Sequence, residues 1–141
     1  MPKWLEHVAL SVTNLEASIA FYRDQLGLQL VRVIEADAGG PKLGDIVGLP
    51  GCRARIAHLQ SDKGMLELFE YQQPRGRPLP RTQADLGFSH VGFATADIHA
   101  EYERLRSAGV SFFNPPVEFR PGAWVAYFRG PDGEVGELRQ T

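Results

Sequence analysis

The sequence predicts an α+β fold: two βαβββ modules in tandem, forming a curled mixed sheet, or cup, with the helices on its outer face. Three observations carry this expectation. The run HVALSVTNLEASIAFYRDQLG from His7 is matched by HVGFATADIHAEYERLRSAG from His90. In both, Val follows the His, a helix-capping Asn14 or Asp97 comes seven residues on, and Gly27 or Gly109 closes the helical stretch. Each copy then ends in an acid-centred strand, GMLELFEY around Glu67 and GEVGELRQ around Glu137. Repetition at long period is a fold-level signal, because each copy is one supersecondary unit.

The elements follow in order. Residues 5–12 alternate as a strand, and Asn14 then opens a helix whose Leu15, Ile19, Tyr22 and Leu26 recur at helical spacing up to Gly27. LQLVRVIE, RARIAHLQ and GMLELFEY read as strands. The gap at 36–52 holds five glycines and two prolines and reads as a loop with a short turn of helix around LGDIVGL. QQPRGRPLPRTQADLG, with Pro74, Pro78 and Pro80, is the linker. After it come a strand at 88–95, an Asp97-capped helix with Ile98, Tyr102 and Leu105 on one face, a short strand VSFFN, the strand AWVAYFRG, the turn GPDG and the last strand. Module one spans about 1–73, the linker about 72–87 and module two about 88–141, within one domain of 1–141.

Composition agrees with one domain. A chain of 141 residues, 43% hydrophobic and 23% charged, buries a real core without splitting into independent domains. A net charge of −2 and a pI near 6.1 give no electrostatic case for nucleic acid or an anionic membrane. The single Cys52 makes no internal disulfide, and no apolar run approaches 18 residues, so a cytoplasmic protein with a small-molecule substrate is expected.

Strand phase brings candidate residues together. Side chains alternate across a strand, so His7 shares a face with Ala9 and Ser11, and His90 with Gly92 and Ala94, while bulky Val8, Leu10, Val91 and Phe93 lie opposite. Glu67 shares its face with Met65, Phe69 and Tyr71, and Glu137 with Val135 and Arg139. A carboxylate among apolar neighbours is costly unless it is paired or binds a cation. One His and one Glu per copy make two imidazoles and two carboxylates, enough for one divalent ion; Ni, Co, Mn, Zn and Fe suit that set about equally. Other residues invite plainer readings. His58 and His99 have no His counterpart in the other copy; His58 is a candidate for the cup lining and His99 is expected at the surface. Cys52 reads as structural, and Arg75, Arg77 and Arg81 as a solvated linker face or a grip on a substrate anion. Arg120 and Trp124, around a Pro-Gly turn, are candidates for a substrate clamp.

The motifs HVALSVTNLEASIAFYRDQLGLQLV, GMLELFEY, FSHVGFATADI and YFRGPDGEVGELRQ span nearly the whole chain, and in combination the sequence resembles the vicinal oxygen chelate superfamily. That superfamily includes glyoxalase I, methylmalonyl-CoA epimerase, extradiol dioxygenases and antibiotic resistance proteins. The resemblance implies paired modules around one metal, often completed in a homodimer, with His7, Glu67, His90 and Glu137 as ligands. It implies a lyase or isomerase in which a metal-side Glu, Glu67 or Glu137, removes a proton next to a carbonyl and the ion stabilises the enediolate. Phe69, Tyr71, His58, Arg120 and Trp124 are candidates for substrate contact. Leu10 and Glu70–Tyr71 stand near where close bacterial glyoxalases carry an Arg and an Asn associated with glutathione, which argues against glutathione as substrate. The HVAL start and the Gly-rich loop look closer to the epimerases. Val135 and Gly136, where the family is bulkier, suggest looser packing behind Glu137. Two alternatives stand beside this reading: an Fe(II) extradiol-type dioxygenase, which the Glu on the fourth strand disfavours, and a non-catalytic antibiotic-binding protein with a groove from Phe69, Tyr71, Phe88, Trp124, Tyr127 and Phe128.

Overall fold

The computed structural model describes residues 1, 4–36, 42–78 and 81–141; the part of the Gly-rich loop at 37–41 and Pro80 of the linker lie outside the described residues. The chain divides into two compact units, Met1–Pro78 and Leu79–Thr141. The first contains β1 (His7–Ser11), α1 (Leu15–Ala20), β2 (Gln29–Ile34), a short α2 (Lys42–Val47), β3 (Arg53–Gln60) and β4 (Met65–Gln73). The second contains β5 (Val91–Ala94), α3 (Ile98–Ser107), β6 (Val117–Arg120), β7 (Ala123–Arg129) and β8 (Val135–Gln140). Strand orders are β1-β4-β3-β2 and β5-β8-β7-β6. In each sheet the first pair is parallel and the others antiparallel. Both units are therefore βαβββ modules in an α+β fold. Among the described residues the strands make two open four-stranded mixed sheets, each bounded by its own edge strands.

The helices form where the caps stand. Asn14 accepts a hydrogen bond from Ala17 N at 2.9 Å and Asp97 one from Ala100 N at 3.0 Å, each satisfying a donor that the first helical turn leaves open. Gly27 and Gly109 adopt φ of 76° and 90°, a left-handed turn that a Cβ disfavours, and there the chain leaves the helix. Between the end of α1 and Gly27 the helix widens to a π-turn over Phe21–Gln25, where a plain α-helix was expected, with Tyr22 and Leu28 both buried. Leu15 and Ile19 pack on the sheet face carrying Leu59, Leu66 and Leu68; Ile98 and Leu105 pack on the face carrying Ala126, Phe128 and Leu138. Full burial of such a side chain stabilises by about 1.5–3 kcal/mol.

Two strand expectations change. VSFFN forms only an isolated bridge, Phe112 to Phe128, and the strand that pairs with β7 is Val117–Arg120. Pro115 and Pro116 stand between them without N–H donors, so a regular ladder resumes only past that pair. The strand expected at 88–95 shortens to Val91–Ala94, because pairing with β8 begins at Val91 opposite Gly136. His90 thus sits just before its strand. No helix among the described residues is long and apolar enough to cross a membrane.

Candidate functional site

In the first unit the sheet face away from α1 carries a cross-strand row. Arg32 of β2 stands opposite His58 of β3, His58 opposite Glu67 of β4, and Glu67 beside Ala9 of β1. His7, two residues before Ala9, reaches diagonally, so that its Nε2 lies 3.5 Å from Glu67 Oε2. His58 Nε2 lies 3.1 Å from Glu67 Oε1, and Arg32 Nε donates to His58 Nδ1 at 2.9 Å. His7 Nδ1 is held by the Glu6 carboxylate. That hydrogen bond raises the His7 imidazole above its ordinary pKa; burial opposes the shift, and the charge of Glu67 adds to it.

The second unit repeats the His–Glu contact with different neighbours. Glu137 of β8 stands beside Gly92 of β5 and opposite Tyr127 of β7. His90, two residues before Gly92, brings Nε2 to 3.2 Å from Glu137 Oε2 and pairs Nδ1 with Ser89 Oγ at 2.9 Å. Its ring lies 4.8 Å from that of Tyr127. Tyr127 is therefore the positional counterpart of His58, which identity alone did not reveal. Burial, then the charge of Glu137, push its phenol pKa up, with Arg139 opposing, so Tyr127 stays neutral.

The remaining candidates sort by face. Phe69 and Tyr71 lie on the Glu67 face, stacked with centroids 5.9 Å apart. Arg120 and Arg139 each place a guanidinium over the Phe119 ring, at 5.5 and 5.4 Å. Strand phase puts Trp124 on the helix side of β7, edge-on to exposed His99 at 4.7 Å. Phe128 is corrected as a groove residue. It is 1% exposed on that same helix side and lines no groove. It also overturns the expected looseness behind Glu137, because a Cβ on Gly136 would stand 2.2 Å from the Phe128 ring, so the ring occupies the space that Gly136 leaves. Leu10 and Glu70 also face the helix side, whereas Tyr71 shares the Glu67 face. A recess of about 170 Å³ is lined by Phe113, Pro115, Val117, Val125 and Tyr127, of which Val125 and Tyr127 share the Glu137 face.

Imidazole nitrogen and carboxylate oxygen are donor types that a divalent ion accepts. Each His engages Nδ1 with the residue before it and turns Nε2 toward a carboxylate, the outer-sphere arrangement that fixes a ligating imidazole. Ligand atoms about 2.1 Å from an ion and at right angles to each other lie about 3 Å apart, close to the 3.5 and 3.2 Å found here. Among the described residues no group of three or more His, Cys, Asp or Glu is arranged to hold an ion; each unit supplies a pair.

The family model of the Glyoxalase/Bleomycin resistance protein/Dioxygenase superfamily matches residues 4–138. The chain belongs to this superfamily. Among similar superfamily proteins, a 2-epi-5-epi-valiolone epimerase of Actinomyces sp. is 34% identical over 95% of this chain and 77% of its own length. A probable lactoylglutathione lyase of Synechocystis sp. is 27% identical over 98% of this chain and 95% of its own. The crystal structure of a glyoxalase family protein from Bacillus cereus covers 96% of this chain and 91% of its own with a TM-score of 0.85 at 24% identity, a likeness of fold. These relatives support a lyase or isomerase type of activity.

Proposed function

We propose that the protein is a divalent-metal-dependent lyase or isomerase that removes a proton next to a carbonyl group of a small molecule. Its donor pairs are His7 with Glu67 in the first unit and His90 with Glu137 in the second, and Glu137 is its base. The observation that carries this is the duplicated contact itself: in both units a His anchored through Nδ1 presents Nε2 to a Glu on the neighbouring strand. The epimerase and lyase names among the relatives support the reaction type.

A carbon acid next to a carbonyl gives up its proton only as negative charge moves onto the oxygen. A bound divalent ion supplies a Lewis acid for that charge. The base has to be a carboxylate free to turn, and the two candidates differ. Glu67 has a histidine nitrogen opposite each oxygen. Glu137 has one opposite Oε2, and its carboxylate lies over Gly92, where the first unit has Ala9. Glu137 Oε1 is thus the atom that takes the proton. Return of that proton by Glu137 to the neighbouring carbon gives an isomer; protonation of the same carbon from the opposite face by a second acid, with the first proton left on Glu137 for solvent, gives an epimer. The recess beside Tyr127 offers the unreactive part of the substrate an apolar seat.

Deuterium exchange tests this without knowledge of the natural substrate. Metal-loaded protein in D2O is incubated with a panel of α-hydroxyketones and 2-substituted acyl thioesters, and label is read by mass spectrometry. Label next to the carbonyl is expected for part of the panel, slowed by about 10²–10⁴-fold in Glu137→Gln. Exchange at an unchanged rate in that variant, or none across the panel, would count against the assignment.

A further inference from the structure

We infer that Arg32 and His58 are a positioning pair that fixes the orientation of the Glu67 carboxylate, a role that rests on the donor set proposed above. The three residues occupy directly opposed positions on adjacent strands, so strand register holds them together and no flexible reach is needed. The hydrogen-bond polarity allows one arrangement. A guanidinium only donates, so His58 Nδ1, 2.9 Å from Arg32 Nε, must accept. A neutral imidazole that accepts at Nδ1 carries its proton on Nε2, and that nitrogen faces Glu67 Oε1 at 3.1 Å. The other tautomer would oppose N–H to N–H at the arginine and lone pair to lone pair at the carboxylate. A doubly protonated ring would still confront the guanidinium.

The consequence falls on Glu67. With Oε1 committed to His58, Oε2 is the oxygen left facing His7 Nε2. Turning the carboxylate away from this arrangement would break a hydrogen bond at a histidine only 9% exposed, where water replaces it poorly. The carboxylate is thereby set for one ligand position before any ion arrives. The second unit lacks the device: its matching residue is Tyr127, and β6 places Val117 and Glu118 opposite Val125 and Trp124, with no arginine in the Tyr127 row.

Two measurements on the full chain test the pairing. In the metal-free protein, ¹⁵N NMR of the imidazoles is expected to show His58 as the Nε2–H tautomer, giving way to a mixture in Arg32→Met. Cobalt(II) uptake, followed by visible absorption in competition with a chelator, is expected to weaken by about 10–100-fold in His58→Leu. His58→Gln, whose amide can accept from Arg32 and donate to Glu67, is expected to recover most of that loss. An Nδ1–H ring in the wild type, or His58→Leu binding cobalt as tightly as wild type, would overturn the role while leaving the donor set standing. Wild-type protein that takes up no cobalt overturns the donor set and this role with it.

Discussion

The anchoring of each His by the residue before it is the finest feature of the site. Glu6 and Ser89 reach Nδ1 because His7 begins β1 and His90 precedes β5; inside a regular strand, neighbouring side chains point to opposite faces. The duplicated His and Glu were legible in the sequence for the opposite reason, since they follow the repeat. Glu6 and Ser89 share no chemistry that a repeat search would match, and neither do His58 and Tyr127, so all four emerge only from register and contact. The Glu6 contact has a pH signature. It raises the His7 imidazole, so in the metal-free chain its stabilisation is fully present below the ordinary histidine pKa and is lost as pH rises through the raised value. Urea midpoints of metal-free wild type and Glu6→Gln, compared from about pH 5 to 9 around that value, are expected to differ at the acid end and converge at the alkaline end. A difference independent of pH would refute this.

Among the elements, the two helices are tied to their sheets by a device that the repeat also duplicates. Three residues after each site Glu, strand phase has switched to the helix side, and there Glu70 Oε2 accepts from Leu15 N at 2.6 Å and Gln140 Oε1 from Ile98 N at 2.8 Å. Leu15 and Ile98 are fully buried, so these first-turn donors have little access to water. Glu70→Ala and Gln140→Ala are each expected to lower stability by about 1–2 kcal/mol in chemical denaturation; a change within error in both would mean that the helix starts are satisfied otherwise. The caps Asn14 and Asp97 and the glycine stops were legible because they act locally. The place of β6 was not: Phe112 and Phe113 have the apolar character of a strand, but Pro115 and Pro116 move the ladder beyond them. Phe128 was misread as a groove residue for a related reason. Aromatic character marks a lining residue only once register shows which side of the strand it occupies.

At the scale of the whole molecule, two modules of one superfamily each set the imidazole that opens the repeat against the carboxylate of its last strand. The fold class was legible because a duplicated βαβββ pattern has few other readings; the division into two sheets depends on which edges pair, which no local pattern encodes. The proposed ligand roles predict that loss of the His or the Glu from either module lowers metal uptake. The most direct test is elemental analysis of wild type and of His7→Ala, Glu67→Gln, His90→Ala and Glu137→Gln after loading with a divalent metal and gel filtration. The expected result is metal retained by the wild type and substantial loss in every variant, whichever module is changed. Retention of metal at the wild-type level by the variants would contradict the assignment of these residues as ligands.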